Sequence, residues 1–100
     1  MSQTLREKLQ SAEKACGCLK VLGHPIRLLI LCALHDGEKS VQELEQLLET
    51  SQATMSQHLN LLKSKEILSA ERRSRQVFYS VKDPRTFELV GLLQAIYCNP

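Results

Sequence analysis

The stretch that decides the fold is SVQELEQLLETSQATMSQHLNLLKSKEIL, residues 40–68. It contains two runs of apolar residues at helical spacing, separated by a short polar stretch. Ser40 followed three positions later by Glu43 predicts a capping box at the start of the first helix, and Ser51 predicts the N-cap of the second. Two helices of this length joined by a tight turn indicate a helix-turn-helix over residues 41–65. The predicted inner face of its first helix consists of Val41, Leu44, Leu47 and Leu48.

Downstream of this stretch the spacing of apolar residues changes from helical to alternating. Within residues 67–82, β-prone residues flank the basic centre ERRSRQ, residues 71–76, which predicts a β-hairpin, or wing, with a basic tip. Asp83 followed by Pro84 predicts the N-cap and the first position of a last helix over residues 84–98. Because apolar residues cover more than one stripe of that helix, we expect part of it to pack against a partner subunit.

Upstream of the helix-turn-helix, two further helices are predicted. Pro25 suits the first position of one of them, PIRLLILCALHD, which ends at Asp36 and Gly37. The other, within residues 1–22, carries an apolar seam at the spacing of helices that face another helix, sometimes in a second subunit. That seam consists of Leu5, Leu9, Ala12, Cys16 and Leu19.

The summed order is helix, helix, helix-turn-helix, hairpin and helix. It predicts a mainly α fold with a small β-hairpin, a winged helix-turn-helix that occupies residues 1–100 as a single domain. We expect the helices of residues 1–22 and 84–98 to be the ones that contact a second subunit, as dimerisation helices.

Length and composition limit the class of protein. One hundred residues, 43% of them apolar and 24% charged, make one domain that folds rather than staying disordered. No apolar run approaches the roughly 20 residues of a membrane span, and no signal-peptide pattern opens the chain. We therefore expect a cytoplasmic protein without a membrane partner. Four cysteines in a reducing compartment favour metal binding or redox chemistry, although free cysteine is also a common core residue.

The basic charge is concentrated in one third of the chain. Residues 51–82 hold six basic and two acidic side chains, a net charge of +4, whereas the segments before and after them each carry a net charge of −1. Such a distribution is typical of a surface that binds a polyanion.

These motifs together resemble a known family. LGHPIRLLILCAL, the helix-turn-helix of residues 40–68 and the basic hairpin are similar over essentially the whole chain to the ArsR/SmtB family of bacterial repressors. SQATMSQHLNLLKSKEIL resembles the recognition helix of that family and the segment that leads into its wing. Cys32 in ILCAL and Cys98 in IYC resemble the cysteine pair of the HlyU/BigR/SqrR-like branch, whose members sense reactive sulfur or oxidants. The resemblance implies a homodimer built from the first and last helices.

A recognition helix lies in the major groove of DNA with its early residues toward the base edges, and a wing reaches the backbone or the adjacent minor groove. We therefore expect double-stranded DNA as the partner, with an operator that is an imperfect inverted repeat and an affinity that falls steeply with salt. His58 could equally brace the helix against its neighbour. The predicted DNA-binding residues are Ser51, Gln52, Thr54, Ser56, Gln57, His58, Lys63, Arg72, Arg73, Arg75 and Gln76.

The signal is predicted to act on thiols. Two metal sites known in the family lack their softer ligands here, because the corresponding helices have no cysteine pair and no histidine. Cys16 and Cys18 point about 200° apart on a regular helix, so they are weak candidates for holding one ion. The resemblance makes Cys32 and Cys98 a redox-sensing dithiol that reactive sulfur species or an oxidant converts into a disulfide or polysulfide bridge. No cofactor is predicted.

Three other readings stay open. Cys16 and Cys18 could serve a metal(loid)-responsive repressor with a ligand from a partner chain. A winged helix used only for protein contacts is the second, and the basic wing disfavours it. An enzyme is the third, but the histidines have structural placements and no third orienting residue is suggested, so we expect no enzymatic activity.

Overall fold

Five helices and three short strands follow one another along residues 4–97, the part of the chain that the computed structural model describes. In chain order they are α1 (Leu5–Leu22), α2 (Pro25–Leu34), β1 (Lys39–Ser40), α3 (Val41–Leu48), α4 (Gln52–Ser64), β2 (Leu68–Arg73), β3 (Gln76–Val81) and α5 (Thr86–Tyr97). The predicted fold class, mainly α with a β-hairpin after a helix-turn-helix, is confirmed.

Local hydrogen bonds start both helices of the helix-turn-helix where the sequence predicts. The Ser40 hydroxyl accepts from the Glu43 backbone N–H at 3.1 Å, and the Glu43 carboxylate accepts from the Ser40 N–H at 2.9 Å. This reciprocal pair is the predicted capping box. The Ser51 hydroxyl accepts from the Thr54 N–H at 3.2 Å, as expected of the N-cap of α4.

The sheet has one strand more than the sequence predicts. Its order is β1-β3-β2, with both pairs antiparallel. Lys39 pairs with Tyr79 and Ser40 with Phe78, so β1 attaches the hairpin to the start of α3. A strand of two residues is too short to show an alternating pattern, which explains why the sequence did not reveal it.

The last helix begins two residues later than predicted. It starts at Thr86 rather than at Pro84, because Asp83 organises a tight turn instead of capping an α-helix. The Asp83 carboxylate accepts from the Arg85 backbone N–H at 3.0 Å, and its carbonyl accepts from the Thr86 N–H at 3.0 Å. The side-chain hydrogen bond from the Arg85 guanidinium, 2.6 Å away, lowers the pKa of Asp83 to about 2. Residue 98, where the prediction ended this helix, lies outside the described residues.

The core is built around α2, which contacts α1, α3, α4, α5 and β3. Leu47 of α3 is a correction to the predicted inner face, because 57% of its surface is exposed whereas Leu44 is fully buried. The buried apolar residues are Val21, Leu22, Ile30, Leu31, Leu34, Leu44, Met55, Leu59, Leu62, Ile67, Leu68, Tyr79 and Val90.

Among residues 4–97 no single helix is long and apolar enough to cross a membrane. Taken together, α1 and α2 would be long and apolar enough, but their axes are bent by 94°.

Candidate nucleic-acid interface and thiol site

The recognition helix α4 has one buried face and one exposed polar face. Met55, Leu59 and Leu62 are fully buried against the body of the domain. The predicted DNA-binding residues at its start are accessible, since Ser51, Gln52, Thr54 and Gln57 are exposed and Ser56 is half-buried. Lys63 is exposed in the last turn, roughly 16 Å along the helix axis from Gln52.

A cleft of about 320 Å³ separates the start of α4 from the hairpin. Gln52 and Ser56 line it from the helix, and Arg75 and Gln76 line it from the tip of the hairpin. The structure therefore brings four of the predicted residues to one surface, although they belong to two separate parts of the sequence. The side-chain amide nitrogen of Gln76 also donates to the side-chain oxygen of Gln42 in α3 at 3.2 Å, which ties the tip of the hairpin to the helix-turn-helix.

His58 faces away from this surface and braces α4 against the start of α2. Its Nδ1 lies 3.2 Å from a guanidinium nitrogen of Arg27, and its ring centroid is 4.5 Å from that of His24. Because arginine can only donate, Nδ1 of His58 accepts and its neutral ring carries the proton on Nε2. Arg27 is in turn held by the carbonyl oxygen of Val21 at the end of α1. The bracing role that the sequence allowed for His58 therefore has two direct partners, Arg27 and His24.

This contact predicts a dependence of stability on pH. Burial, then the neighbouring His24 and Arg27, lower the pKa of His58 below its ordinary value of 6.5. The folded state thus binds a proton less readily than the unfolded chain, so the free energy of unfolding falls as pH drops from 6.5 toward the lowered pKa. We expect His58→Gln to reduce that loss, as measured by urea unfolding between pH 8 and pH 5.

The matched control is Asn60→Gln, which exchanges one exposed, non-titratable amide side chain for another on the same helix as His58. It should leave the pH dependence of the free energy of unfolding as in the unchanged chain. An equal pH slope in His58→Gln and in the unchanged chain would contradict the assignment.

Cys32 lies at the junction of α2 and α5. It is half-buried, and the Gln94 amide nitrogen donates to its sulfur at 3.0 Å. Two clefts meet there. One of about 330 Å³ is lined by His35, Phe87 and Gly91 besides Cys32 and Gln94, and the other, of about 430 Å³, is almost entirely apolar. The apolar cleft is lined by Pro25, Leu28, Leu29, Cys32, Val90, Leu93, Gln94 and Tyr97.

The other predicted cysteines are placed as follows. Cys98 lies outside the described residues, so its predicted pairing with Cys32 stays a prediction. Tyr97, the residue before it in sequence, lines the same apolar cleft as Cys32. Cys16 is exposed and Cys18 is half-buried against the core, and α1 continues unbroken through Gly17 between them. Within residues 4–97 no group of three or more His, Cys, Asp or Glu side chains could hold a metal ion.

Sequence reasoning missed three polar residues that the structure places at these sites. Gln94 and Arg27 each interrupt a run of apolar residues, GLLQAIY and PIRLLIL, which is a signal that could have indicated a specific partner. Glu38, which binds Arg73 of the hairpin, lies in the turn before β1. No local pattern distinguishes Glu38 from other exposed acidic residues.

Apolar side chains remain exposed along α1 and α5. Leu5, Leu9 and Leu19 of the predicted seam have 83%, 58% and 56% of their surface exposed. Leu92 and Ile96 of α5 are each 60% exposed. Large apolar side chains repeated along two helices are typical of a surface that a partner covers.

Comparison with known proteins places these features in a family. The model of the family described as bacterial regulatory protein, arsR family, matches residues 24–70. The biofilm growth-associated repressor of Xylella fastidiosa is 38% identical over 94% of this chain and 83% of its own length. HlyU of Vibrio cholerae, named as a transcriptional activator, is 36% identical over 95% of this chain and 88% of its own length.

Solved structures agree with this assignment. Reduced HlyU from Vibrio cholerae superposes with a TM-score of 0.85 at 36% identity, covering 95% of this chain and 100% of the other. A homodimeric winged helix-turn-helix DNA-binding domain from Mycobacterium bovis superposes with a TM-score of 0.82 at 25% identity, covering 96% and 89% of the two chains. These relatives are named as regulators of transcription rather than as enzymes, which agrees with the expectation of no enzymatic activity.

Proposed function

Because the chain belongs to the arsR family of bacterial DNA-binding transcriptional regulators, we propose that it is a homodimeric repressor switched by thiol chemistry. In this proposal a dithiol of Cys32 and Cys98 is converted into a disulfide or polysulfide bridge, and the affinity for the operator then falls. The observation that carries the proposal is the position of Cys32 at the junction of α2 and α5, between the recognition unit and a predicted dimerisation helix.

The DNA-binding surface consists of the exposed start of α4 and the tip of the hairpin. Gln52 and Ser56 share a cleft with Arg75 and Gln76, so one stretch of DNA can meet both. Glutamine can bond adenine in two places, serine suits bases or phosphates, and arginine suits phosphates or a narrow minor groove. Ser51, Thr54, Gln57, Lys63 and Arg72 extend this surface. Arg73 has a different set of contacts, with Glu38, Glu71 and Phe78.

The dimer uses the exposed apolar faces of α1 and α5. Their leucines and Ile96 are exposed, with no element of residues 4–97 covering them, and the relative from Mycobacterium bovis, which is named as homodimeric, supports a homodimer for this chain. A dimer presents two recognition helices about one turn of DNA apart, roughly 34–36 Å, so the operator is an imperfect inverted repeat.

The switch follows from ordinary thiol chemistry. The thiolate of one cysteine attacks the outer sulfur of a hydropersulfide RSSH, which forms a protein persulfide and releases RS⁻. The second thiolate attacks the inner sulfur of that persulfide, forming the disulfide and releasing HS⁻. Two protein thiols are oxidised and one hydropersulfide is reduced to a thiol and hydrogen sulfide. A peroxide would give a sulfenic acid first, and the second thiol would close the bridge with loss of water.

Two features support this chemistry at Cys32. Cys32 lines an open apolar cleft, and Tyr97 brings the end of the described part of α5 into the same cleft. A bridge between α2 and α5 would tie a dimerisation helix to the body and change the angle between the two recognition helices. One solved structure of HlyU is of the reduced protein, which supports a role for oxidation state.

Repression rather than activation is proposed because the Xylella relative, at 38% identity, bears the name of a repressor. HlyU, at 36%, is named an activator, so transcription from an operator-bearing promoter is measured together with DNA binding.

The test measures operator affinity after defined chemical treatments. An operator is selected from random double-stranded DNA by the full chain, and its affinity is measured after reductant, glutathione persulfide, hydrogen peroxide, Zn(II) or arsenite. We expect persulfide to lower the affinity of the unchanged chain at least about tenfold, a shift of roughly 1.4 kcal/mol. Cys32→Ser should retain its affinity after the same treatment, and intact mass should show bridged sulfur only in the unchanged chain.

Cys16→Ser is the matched control, because it removes a thiol that is exposed on α1. It should still release DNA on persulfide treatment. Normal release by Cys32→Ser would make the dithiol mechanism wrong. Release by Zn(II) or arsenite that requires Cys16 or Cys18 would favour the metal(loid)-responsive reading.

A further inference from the structure

Arg73 differs from the other basic residues of the hairpin in how completely its guanidinium is engaged. It pairs with the carboxylate of Glu38, and its Nε lies 3.5 Å from the carboxylate of Glu71. The guanidinium carbon lies 4.3 Å from the ring centroid of Phe78, a cation–π arrangement. Two carboxylates and one aromatic face therefore surround a single cation.

The register of the hairpin explains why these groups meet. Arg73 pairs with Gln76, Glu71 pairs with Phe78, and residues two apart on a strand share a face. Glu71, Arg73 and Phe78 therefore lie on one face of the hairpin. Arg72 pairs with Val77 and lies on the opposite face. Val77 and the buried Tyr79, which share the face of Arg72, line the cleft together with Gln52 and Ser56 of α4, so this face is the one turned toward the body and the recognition helix. Of the residues on the face of Arg73, Gln76 at the tip also reaches this cleft.

The charge at Arg73 is therefore neutralised before any DNA approaches. The hydrogen bond from Arg73 lowers the pKa of Glu38 and raises that of Arg73, so both groups are ionised at neutral pH. With the Glu71 side chain beside them, this face holds one basic and two acidic side chains. A phosphate on this face would meet net repulsion, whereas Arg72 and Arg75 form no ion pair within residues 4–97.

Glu38 is well placed to hold the hairpin at a fixed angle. It lies directly before β1, whose two pairs, Lys39 with Tyr79 and Ser40 with Phe78, reach only half way along β3. Beyond Phe78 the hairpin is a two-stranded ribbon, a structure that is marginal by itself in water. Two side-chain links tie this ribbon to the body, Glu38 with Arg73 and Gln42 with Gln76.

We propose that Glu38 and Arg73 are a positioning pair that sets the angle of the hairpin, so that Arg72 and Arg75 reach the DNA backbone while Arg73 itself does not. The sequence made Arg73 a DNA contact, and its partners favour this other role. The inference rests on the proposed function in one respect, that the hairpin meets DNA.

The test compares operator affinity over a range of salt concentrations for the full-length chain, Arg73→Gln, Glu38→Gln, the double variant and Arg72→Gln. Loss of a phosphate contact lowers the slope of log affinity against log salt by about 1 for each contact, hence about 2 for a dimer. We expect that change for Arg72→Gln. For Arg73→Gln and Glu38→Gln we expect an unchanged slope and an affinity about twofold to fivefold lower at every salt concentration, the size of an exposed ion pair.

Glu38→Gln gives the sharpest distinction, because a phosphate contact by Arg73 and a positioning pair predict changes of operator affinity in opposite directions. If Arg73 bound phosphate, removing the carboxylate beside it would release its charge, so the affinity would rise and the slope would steepen. If the two residues form a positioning pair, the affinity falls and the double variant is no weaker than either single variant. Faster hydrogen exchange of the backbone amides in residues 71–76, with unchanged thermal unfolding, would support a loosened hairpin.

The same measurements distinguish a failure of the positioning role from a failure of the proposed function. A reduced slope in Arg73→Gln, or a raised affinity in Glu38→Gln, overturns the positioning role while leaving the proposed function intact. An unchanged slope in Arg72→Gln, with no loss of affinity in any variant, means that the hairpin does not meet DNA. That outcome overturns both the positioning role and the hairpin's part in the proposed function.

Discussion

Leu92→Glu should convert the protein to a monomer and weaken operator binding by about a hundredfold or more. Leu92 lies on α5 with 60% of its surface exposed, beside the similarly exposed Ile96. Burying a carboxylate at the centre of an apolar interface is costly, because it loses its hydration without gaining a partner. A dimer binds its second half-site as an intramolecular event, which raises affinity about 10²-fold to 10⁴-fold over a single site, and a monomer loses that gain.

The measurement combines light scattering after size exclusion with operator titration at fixed salt. Gln46→Glu is the matched control, since it adds the same charge at an exposed position on α3, away from α1 and α5. The control should remain a dimer with nearly unchanged affinity. A dimeric Leu92→Glu of normal affinity would show that the dimer does not use this face of α5.

The second large effect is expected from Leu44→Ala in α3. Leu44 is fully buried, so truncation removes apolar contacts and leaves a cavity, which typically lowers the free energy of unfolding by about 3 kcal/mol. That is a large share of the roughly 5–15 kcal/mol that stabilise an average domain. Leu47→Ala, on the same helix, should change the free energy of unfolding by less than about 0.5 kcal/mol, because 57% of Leu47 is exposed.

Both variants are compared by urea unfolding at one protein concentration, because the stability of a dimer depends on concentration. The pair is chosen because the sequence assigned both leucines to the inner face of this helix. Equal losses of the free energy of unfolding in the two variants would mean that Leu47 is buried, as the sequence pattern predicted.

The parts of the fold that the sequence predicted best are those that depend on contacts between residues close together in the chain. The capping box of Ser40 and Glu43 and the N-cap at Ser51 depend on contacts three residues apart, which the sequence displays directly. β1 has only two residues and owes its existence to pairing with Tyr79 and Phe78, far along the chain. Leu47 was misassigned because helical spacing defines a broad stripe, and packing against α2 decides which side of the stripe is covered.

The candidate sites show the same difference between contacts close in the chain and contacts between distant residues. Residue types and charge density pointed to α4 and the hairpin as a DNA-binding surface, and the cleft brings four of those residues together. The partners of individual side chains were beyond the sequence. Glu38 and Arg73 are 35 positions apart, and Gln94 and Cys32 are 62 apart, so only the tertiary fold brings them within hydrogen-bond distance. The pairing of Cys32 with Cys98 stays a prediction.

The central position of α2 has a consequence for how a chemical event at one side chain is felt elsewhere. Its first turn brings Arg27 against His58 of α4, its last turn carries Cys32, and the residues after it lead to Glu38, which binds Arg73 of the hairpin. Close-packed interiors have low compressibility, so a displacement of a helix that touches every other helix and β3 is not absorbed locally. A chemical change at Cys32 that displaced α2 would therefore be felt both at α4 and at the hairpin, the two elements proposed to meet DNA.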